Sequence, residues 1–420
     1  MKIILSHPTG NTFFRALAKT LLNDKLLLEF DTSIATFERG LLGKIARLGL
    51  FSELNRRSYD TSLQPYTNIF PYFEFGRMLS ARFKLYKLLK HESGIFCVDN
   101  VYRKHDAFVA KRIKRLKTGI EQVGIYAYED GALQSFTQAK LKGMPCIYDL
   151  PIAYWEYGRK LLSEEVERYP NWKKTMGGGV SDSPEKLNNK VKELELADYV
   201  VCPSHFVINS LPEWVKNKKI ILSPFGTPLN SLQTSNYKKE YNTSNKLKVL
   251  FVGSMSQRKG LADLFEAFKL LNNPNVELIV MGSLQEDISF YRSEYAHFRY
   301  EPGRPHHEVL ELMRNCDVFC LPSIVEGRAL VMQEAMSQGL PIIITPNTGG
   351  EDLVIEGETG FLVPIRSPQA IAEKIEWFAQ HRDAIPTMGE NARLHAAKYT
   401  WEGYGRTIVE HVETWHAASR

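Results

Sequence analysis

Two segments in the second half of the chain combine charged side chains with the spacing that anion and diol binding require. In the first, an apolar run ends at Leu321, a short polar loop carries Glu326, and a helical pattern begins near Ala329. The free N–H groups at the start of such a helix form an anion site. Glu334 lies further along the helix, where its carboxylate can accept two hydrogen bonds from a vicinal diol such as a ribose. Two glutamates at this spacing are also common on a helix surface, so the segment alone leaves both interpretations open.

The second segment places cations directly after a glycine turn. An apolar run ends at Gly253, Ser254 follows, and Arg258, Lys259 and Gly260 stand before the next helical pattern. This arrangement can hold a diphosphate and neutralise its charge as it becomes a leaving group. Arg offers a planar fork of donors and Lys a compact charge. An Arg-Lys pair before a helix is commonplace when it is considered alone.

The elements that must position these residues follow from periodicity. Short β-rich runs alternate with amphipathic helical patterns along the chain, which is typical of βαβ units and parallel sheets. Residues 233–246 have almost no apolar side chain and many turn formers, which indicates an exposed linker. We therefore predict an α/β protein with two Rossmann-like, doubly wound parallel sheets that face each other across a cleft, with ligands at the carboxyl ends of the strands. The predicted units are an N-terminal domain at 1–230, a linker at 231–246, a C-terminal domain at 247–398, and a terminal helix at 399–420 that packs back on the first domain.

The predicted elements are spread over both halves of the chain. We expect strands at residues 2–6, 94–98, 122–126, 144–148, 199–202, 219–222, 247–253, 276–281, 318–321 and 341–345. We expect helices at residues 13–22, 131–141, 261–271, 309–313 and 330–337. Residues 155–185, rich in Trp, Tyr, Lys and Glu and containing three consecutive glycines, are expected to form a surface loop or lid.

Composition narrows the class of protein. The chain has 420 residues, of which 44% are hydrophobic and 24% are charged, which excludes collagen-like, mucin-like and wholly disordered proteins. Its five cysteines are odd in number and lie mostly in apolar runs, which favours reduced core thiols in a cytoplasmic protein. Cys316 and Cys320 have no second Cys or His pair, so buried strand cysteines are favoured over zinc ligands. We expect neither a signal peptide nor a membrane-spanning segment.

The positive charge is concentrated in one region. Residues 36–120 contain 17 Lys and Arg against 7 Asp and Glu, and their cations are interleaved with Leu, Phe and Tyr. This composition suits peripheral contact with an anionic membrane on its cytoplasmic face, although a solvated helix face fits equally well. Nucleic acid is not an expected partner because no recognition helix, zinc finger or RNA-binding signature is present. The cationic cluster consists of Arg77, Arg82, Lys84, Lys87 and Lys90.

Together the two chemical segments resemble glycosyltransferase family four, the retaining nucleotide-sugar transferases of glycosyl transferases group 1, which have the GT-B fold. The resemblance covers the second domain and is loose in the first, where it is limited to the turn at Gly10 and Asn11 and to residues 223–226. The matching motifs are the turn at Lys259 and Gly260, the Gly282 turn, residues 317–322, Glu326 and Glu334 with seven residues between them, residues 335–336 and 339–341, and residues 349–350 and 360–364.

The resemblance implies roles for these residues. Arg258 and Lys259 would bind the donor diphosphate, and Glu326 with the following backbone amides would hold the transferred sugar, which makes these three the catalytic candidates. Glu334 would bind the ribose, and the turns at 282–283 and 302–304 would lie near the base. The full set of donor-binding candidates is Gly253, Ser254, Gly282, Ser283, Arg304, Gly327, Arg328, Ala329, Leu330 and Glu334.

The chain departs from the family pattern at two places. Ser254 stands where the family often has Arg, and Arg258 would supply the missing cation. Arg328 and Ala329 stand where Phe-Gly is common. Arg328 either contacts a charged or unusual donor sugar or faces solvent.

The acceptor side is matched less closely. The family resemblance implies a histidine in the cleft after a strand in many members, and the corresponding run here is Cys146 to Pro151, which contains Asp149 and no histidine. Asp149, Glu129 and Asp130 are candidates for contacting the acceptor hydroxyl, while helix capping is the alternative for Asp130. His7, beside the turn formed by Gly10 and Asn11, completes the cleft candidates.

The function that the resemblance implies is transfer of a hexose-type sugar from a UDP-, GDP- or ADP-sugar to a hydroxyl of a glycan or lipid-linked acceptor, in envelope or surface polysaccharide or glycolipid synthesis. No Asp-any-Asp motif is present, so we expect no metal and no cofactor. A sugar-nucleotide epimerase, a phosphorylase and a non-catalytic nucleotide-sugar-binding protein are the alternatives. A nicotinamide dehydrogenase is disfavoured because Gly-x-Gly-x-x-Gly follows neither first strand.

Overall fold

The computed structural model describes residues 1–38, 54, 57–117, 122–228 and 246–418. The strands are β1 (Lys2–Ser6), β2 (Leu27–Thr32), β3 (Thr67–Ile69), β4 (Val123–Tyr128), β5 (Cys146–Asp149), β6 (Tyr199–Cys202), β7 (Lys219–Leu222), β8 (Leu247–Val252), β9 (Val276–Met281), β10 (Phe298–Glu301), β11 (Val318–Leu321), β12 (Ile342–Ile344) and β13 (Gly360–Leu362). The helices are α1 (Thr12–Asn23), α2 (Tyr72–Arg82), α3 (Val98–Arg115), α4 (Leu133–Lys140), α5 (Trp155–Arg168), α6 (Pro184–Leu196), α7 (His205–Asn209), α8 (Leu261–Leu271), α9 (Ile288–Glu294), α10 (His306–Arg314), α11 (Leu330–Ser337), α12 (Pro368–Gln380), α13 (Ile385–Ala396) and α14 (Trp401–Ala418).

The strands form two parallel sheets. The first has seven strands in the order β3-β2-β1-β4-β5-β6-β7, and the second has six in the order β10-β9-β8-β11-β12-β13. In each sheet the strand order reverses beside the first strand, at β1 and at β8, which is the topological switch point where open α/β sheets bind ligands. The predicted fold class, two doubly wound parallel sheets, is confirmed.

Several predicted elements differ from the structure. Residues 94–98 were expected to form a strand, but they form a turn that leads into α3, and Ile95 and Val98 are exposed. Strands β2, β3, β10 and β13 were not predicted. The predicted linker lies outside the described residues except for Lys246.

The expectation of a loop or lid at 155–185 is wrong. This segment forms α5, a 3-10 segment at Pro170–Val180 and the start of α6. Trp172 is only 1% exposed, and it packs with Leu161, Leu162 and Met176 in the hydrophobic core of the second sheet. The segment belongs to the first half of the chain by sequence and to the second core by packing. Apolar burial of this size is what fixes a segment to a domain.

Two further features concern the first domain. Helix α14 packs against α1, and its side chains Tyr404, Ile408, Val409 and Val412 are buried in the core of the first sheet. All five cysteines are free and buried, as predicted. None of the helices in the described part of the chain is long and apolar enough to span a bilayer.

Candidate active site

The turn after β8 carries the two predicted cations. Residues Gln257–Lys259 form a single 3-10 turn, and Gly260 ends it in the left-handed region, with φ of 73°. A Cβ at Gly260 would lie 1.9 Å from the carbonyl oxygen of Pro322, so only glycine fits this approach to the loop after β11. The Lys259 stem lies against Gly253, where a Cβ would come 3.4 Å from the lysine carbons. This turn, residues 257–260, therefore fixes the direction of both cations, and we refer to it as the cation turn.

The predicted catalytic candidates converge at the carboxyl ends of β8 and β11. The Arg258 Nη1 atom is 2.9 Å from Glu326 Oε1, and the Lys259 Nζ atom is 2.6 Å from the same oxygen. Arg258 also donates to the carbonyl of Val325, and the backbone N–H of Ile324 donates to the carbonyl of Arg258. Two cations share one carboxylate, so the cluster carries a net positive charge in a largely buried place. Such a cluster is suited to an anion that can replace the carboxylate as the partner of the cations.

The loop after Glu326 is pressed between the two domains. A Cβ at Gly327 would lie 1.7 Å from the carbonyl oxygen of Pro151, and a Cβ at Gly349 would lie 1.7 Å from that of Gly327. The Ser204 hydroxyl donates to the Gly327 carbonyl at 2.6 Å. Glycine at 327 therefore permits close contact between the domains.

Helix α11 begins directly after this contact. Ala329 is its N-cap, and its backbone N–H donates to the carbonyl of Thr348. The N–H groups of Leu330 and Val331 lie at the amino end of the helix, where the helix dipole favours an anion. Ala329 and Leu330 are thus placed as the sequence predicted, at the amino end of the helix that follows the Glu326 loop.

Glu334 lies one turn into α11 and pairs with a residue that the sequence did not single out. The Nε2 atom of His306 is 3.0 Å from Glu334 Oε1. The hydrogen bond to Glu334 raises the pKa of His306. A ribose that binds Glu334 would therefore compete with the imidazole.

The predicted base-side turns lie at the same sheet edge. A Cβ at Gly282 would lie 1.7 Å from the carbonyl oxygen of Gly253, so the turns after β9 and β8 touch. Ser283 accepts a hydrogen bond from the N–H of Met255 through its carbonyl. Arg304 is ion-paired with Glu301 at the end of β10. Gly282 and Ser283 thus lie against the turn after β8, and Arg304 lies beyond the end of β10.

Arg328 occupies neither of the two places expected for it. Its side chain is fully buried, with 0% exposure, and it stacks on the Tyr399 ring with the guanidinium carbon 4.7 Å from the centroid. It donates to Asp352 at 2.7 Å and to the side-chain oxygen of Gln333 at 3.1 Å. Enclosed in this way, the guanidinium ties the start of α11 to the following loop rather than contacting a sugar or solvent.

The first-domain candidates separate into buried and cavity-lining residues. His7 is fully buried, and its Nδ1 accepts hydrogen bonds from the N–H groups of Thr9 and Gly10. Burial lowers the pKa of His7 well below its ordinary value. Gly10 has φ of 59°, and Asn11 is the N-cap of α1. This group shapes the β1–α1 turn from inside the domain.

Asp149 is also buried within the first domain. Its carboxylate accepts a hydrogen bond from the Tyr126 hydroxyl at 2.8 Å, and it is only 1% exposed. Burial raises the pKa of Asp149 to about 7. The sequence-based idea that Asp149 contacts an acceptor hydroxyl therefore does not fit its place in the structure.

Glu129 and Asp130 share one lysine but line two different cavities. Lys190 is 2.8 Å from Glu129 and 3.0 Å from Asp130. The alternative that Asp130 caps a helix is wrong, because Glu193 caps α4 by accepting from the N–H groups of residues 132 and 133. Asp106 adds a second cap by accepting from residues 134 and 135.

A cavity of about 390 Å³ lies between the two halves of the chain. The second domain contributes residues from the cation turn, the turn after β9 and the Glu326 loop, and the first half contributes residues from 129 to 190. Sequence reasoning missed most of the first-half wall, since it treated 155–185 as one loop; the Trp- and Gly-rich composition was the available signal. The lining residues are Glu129, Ile152, Ala153, Trp155, Gly158, Arg159, Leu162, Thr175, Met176, Gly177, Asp182, Lys190, Ser254, Ser256, Arg258, Gln285 and Val325.

A buried polar network joins the first-half wall to the cation turn. Glu165 on α5 accepts hydrogen bonds from the side chains of Gln257, Arg168 and Arg366 at 2.6, 3.0 and 2.5 Å. The N–H of Gln257 also donates to the Thr175 hydroxyl at 3.1 Å. Because Gln257 directly precedes Arg258, this network holds the backbone that aims the two cations.

One group of side chains in the described residues could hold a metal ion. Ligand atoms of His91, Glu92 and Asp182 lie within 4.8 Å of one another. The Lys186 ammonium is 3.1 Å from Asp182 and 2.8 Å from Asp99, so it already balances these carboxylates. The group joins the residues before α6 to the turn before α3, and its Asp182 lines the cavity between the two halves of the chain.

Comparison with known proteins identifies the class of this architecture. The chain superposes along its whole length on sucrose-phosphate synthase from Thermosynechococcus elongatus, with a TM-score of 0.63 and 18% identity over 100% of both chains. Anabaena HepE in complex with UDP superposes with a TM-score of 0.60 and 16% identity over 99% of this chain and 100% of that one. The fold is therefore GT-B, two Rossmann-like domains facing each other.

The family-model match concerns mainly the second domain. Residues 233–395 match the family model for glycosyl transferases group 1. An uncharacterized glycosyltransferase of Methanocaldococcus jannaschii is 29% identical over 208 residues, which cover 49% of this chain and 56% of that protein. The capsular polysaccharide biosynthesis glycosyltransferase CapM of Staphylococcus aureus is 30% identical over 204 residues, which cover 45% and 53%. The chain thus spans about half the length of these curated relatives. The family-model match, at residues 233–395, contains the cation turn, the Glu326 loop and α11.

Proposed function

We propose that this protein is a retaining, metal-independent glycosyltransferase of family four that moves a hexose-type sugar from a nucleotide-diphosphate sugar to an acceptor hydroxyl. The observation that carries the proposal is the convergence of Arg258 and Lys259 on Glu326 at the edge of the second sheet. The match of residues 233–395 to glycosyl transferases group 1 supports it independently. The name of CapM supports a role in polysaccharide synthesis. The proposed acceptor is a hydroxyl of a glycan or lipid-linked glycan on the cytoplasmic side of the envelope.

In the proposed reaction the donor diphosphate takes over the two cations from Glu326. The bond between the anomeric carbon and the phosphate oxygen breaks, and a bond to the acceptor oxygen forms on the same face of the sugar. The acceptor proton passes to an oxygen of the departing diphosphate. Arg258, Lys259 and the amino end of α11 stabilise the charge that develops there, which is the role a metal has in other transferases. Glu326, released from the cations, accepts hydrogen bonds from sugar hydroxyls and orients the ring.

Glu129 and Lys190 form the opposite wall of the cavity. They are ion-paired at 2.8 Å and lie in the first domain, across from Arg258. A carboxylate and an ammonium offer both an acceptor and donors to a hydroxylated sugar. We therefore assign the acceptor to this wall rather than to Asp149.

The substitution Lys259→Ala tests the donor site. Removing one cation from the leaving group should lower turnover by about a hundredfold to a thousandfold. The fold should persist because Glu326 keeps its partner Arg258. The matched control is Lys269→Ala on α8, where the lysine is exposed and pairs only with Glu266 among the described ion pairs. Near-wild-type turnover of the Lys259 variant would exclude the proposed role.

The measurement is nucleotide release from separate UDP-, GDP- and ADP-sugars, with thermal stabilisation recorded in parallel. Release with one donor names the base and sugar, and the anomeric configuration of the product, determined by NMR, tests retention. An unchanged rate in a chelator supports metal independence. Interconversion of the donor sugar would indicate an epimerase, a requirement for inorganic phosphate would indicate a phosphorylase, and stabilisation without turnover on any acceptor would indicate a binding protein.

A further inference from the structure

Exposed apolar side chains are concentrated in one short part of the first domain. Seventeen large apolar side chains are exposed in the described part of the chain, and nine of them lie between residues 66 and 98. Scattered single residues of this kind are normal, but a cluster indicates an interaction surface. The nine are Tyr66, Ile69, Tyr72, Leu79, Phe83, Leu85, Tyr86, Ile95 and Val98.

The most exposed members lie along one side of α2 and in the turn after it. Leu79 and Phe83 follow Tyr72 by seven and eleven residues, so the helical repeat places all three on one face. Tyr72 is 72% exposed, Phe83 65% and Tyr86 66%. We refer to residues 72–98, which comprise α2, a 3-10 turn at Tyr86–Leu89 and the return to α3, as the α2 segment.

The α2 segment is an ordered unit. The N–H of Leu85 donates to the carbonyl of Ser80 at 2.8 Å, and Lys84 between them has φ of 55°, which non-glycine residues rarely adopt. Phe96 returns against Gly76, where an added Cβ would lie 2.3 Å from the ring. The exposed side chains are therefore held outward by a defined backbone.

The exposed charge on this surface has one sign. Arg82, Lys84, Lys87 and Lys90 are all exposed. Between residues 66 and 90 the one acidic residue is Glu74, which is buried. Its carboxylate is held by Arg57 and Arg77 at 2.6 and 2.7 Å. Between residues 66 and 90 the exposed surface thus combines aromatic and aliphatic groups with cations alone, while Glu92, further along the α2 segment, is partly buried and accepts a hydrogen bond from the N–H of Ser183.

We propose that the α2 segment docks the protein on an anionic membrane surface. Aromatic and aliphatic side chains enter the boundary between headgroups and acyl chains, while the surrounding cations pair with lipid phosphates. This assigns the contact to specific described residues within the broader basic region 36–120.

The docking surface is connected to the cavity. Directly after Lys90, His91 Nε2 lies 2.9 Å from Asp182, and Glu92 accepts a hydrogen bond from the N–H of Ser183 at 2.8 Å. Asp182 itself lines the cavity between the domains. Docking would therefore hold this wall of the cavity beside the lipid headgroups. This step rests on the proposed function, and it indicates an acceptor that is anchored in the membrane.

Vesicle flotation of the full chain tests the proposal. The vesicles are phosphatidylcholine alone and equal parts of phosphatidylcholine and phosphatidylglycerol, at low and at high salt. One variant removes the apolar groups, Phe83→Ser/Leu85→Ser/Tyr86→Ser, and the other removes charge, Lys84→Gln/Lys87→Gln/Lys90→Gln. The matched controls remove three exposed leucines, Leu141→Ser/Leu270→Ser/Leu394→Ser, or three exposed lysines, Lys192→Gln/Lys269→Gln/Lys398→Gln, elsewhere on the surface.

We expect the wild-type protein to float with the anionic vesicles at low salt and not with the neutral ones. Loss of three cations should lower the membrane partition coefficient about a hundredfold, whereas the lysine control should change it little. The apolar variant should also lose binding, and its leucine control should retain it. Absence of binding by the wild type, or equal losses in variants and controls, would overturn the proposal. The proposal would also be overturned if light scattering showed that the wild type is a dimer and the apolar variant a monomer, and the wild type did not bind vesicles. The apolar surface would then be a dimer interface.

Flotation needs no donor, and nucleotide release needs no vesicle. A protein that floats without releasing nucleotide would keep the docking surface and lose the proposed transferase activity. A protein that releases nucleotide without floating would do the reverse.

Discussion

Glu165→Gln should destabilise the second domain far more than the neighbouring substitution Glu164→Gln. Glu165 has a fully buried side chain, and it accepts hydrogen bonds from Arg168, Arg366 and Gln257. The amide of a glutamine would offer one acceptor oxygen and would place an N–H₂ donor against these donors. The substitution therefore removes a buried negative charge and leaves two guanidinium groups with fewer partners.

The size of the effect follows from the partners that remain. Breaking a buried ion pair costs about 3–5 kcal/mol of the free energy of unfolding. Arg168 keeps Asp263 at 2.9 Å, and Arg366 keeps Glu164 at 2.7 Å, so we expect the lower end, about 3 kcal/mol. Glu164 is 37% exposed, and its ion pair with Arg366 should contribute at most about 1 kcal/mol.

Urea unfolding followed by tryptophan fluorescence measures both variants, since Trp172 is buried in the same core as α5. Nucleotide release in the absence of urea provides a second readout, because Gln257 loses a partner directly before Arg258. We expect the Glu165 variant to lose both stability and turnover and the Glu164 variant to keep both. Equal losses of stability, or a loss below about 1 kcal/mol for Glu165→Gln, would refute the idea that this network holds the cation turn.

Three further predictions concern the domain contact and two titrating groups. Gly327→Ala should lower the free energy of unfolding by about 1–3 kcal/mol, since the added methyl group meets the Pro151 carbonyl. Gly158→Ala in α5 should be neutral or stabilising, because the added Cβ would lie 3.6 Å from Val325, an ordinary contact distance. Urea unfolding of both variants measures the contrast. Burial raises the pKa of Asp149 to about 7, so the native state binds the proton more tightly than the unfolded state does. The free energy of unfolding should therefore fall as the pH rises from about 4 to about 7. Asp149→Asn should flatten that fall in unfolding curves measured across this window, and an unchanged slope would contradict it. Because Glu334 raises the pKa of His306, donor affinity measured by calorimetry should weaken as pH falls through that pKa, and His306→Ala should remove this dependence.

Most interior strands were predictable from the sequence, although β2 was missed, and of the four edge strands in the described residues β7 alone was predicted. The runs at 199–202, 219–222, 276–281 and 318–321 match β6, β7, β9 and β11 residue for residue. Three of these are interior strands of parallel sheets, which read as continuous apolar runs. By contrast, β3 and β10 are short edge strands with polar residues, and they carry no such signal.

The false strand at 94–98 has the opposite cause. Its apolar residues Ile95 and Val98 are exposed on the α2 segment, so this apolar run belongs to the protein surface and not to the core. The apolar character of this short run does not by itself show whether the run becomes buried. Only the packing of Phe96 against Gly76 shows where this run lies.

The donor side of the site was accessible to sequence reasoning because its residues are grouped in two short segments. Each segment follows a strand, and the carboxyl ends of parallel strands meet at one sheet edge, so Arg258 and Glu326 had to be near each other. Arg328 was misplaced because its partners Asp352 and Tyr399 come from later segments. The first-half wall was missed because residues 155–185 were interpreted as a surface loop, whereas they form α5 and the 3-10 segment that pack into the second core.

The cavity wall that comes from the first half of the chain has two parts, one packed on each domain. Residues 153–176 pack in the core of the second sheet, although they precede the second domain in sequence. Helix α5 is fixed to the second core by Leu161, Leu162 and Trp172, and the Glu165 network ties it to the cation turn. The Glu129–Lys190 pair instead lies in the first domain, with Glu129 directly after β4 and Lys190 on α6. Movement of one domain relative to the other would therefore change the distance between Lys190 and Arg258 while α5 and Arg258 stay together. In a transferase with this structure, domain closure would adjust the acceptor wall against a donor site that is already assembled.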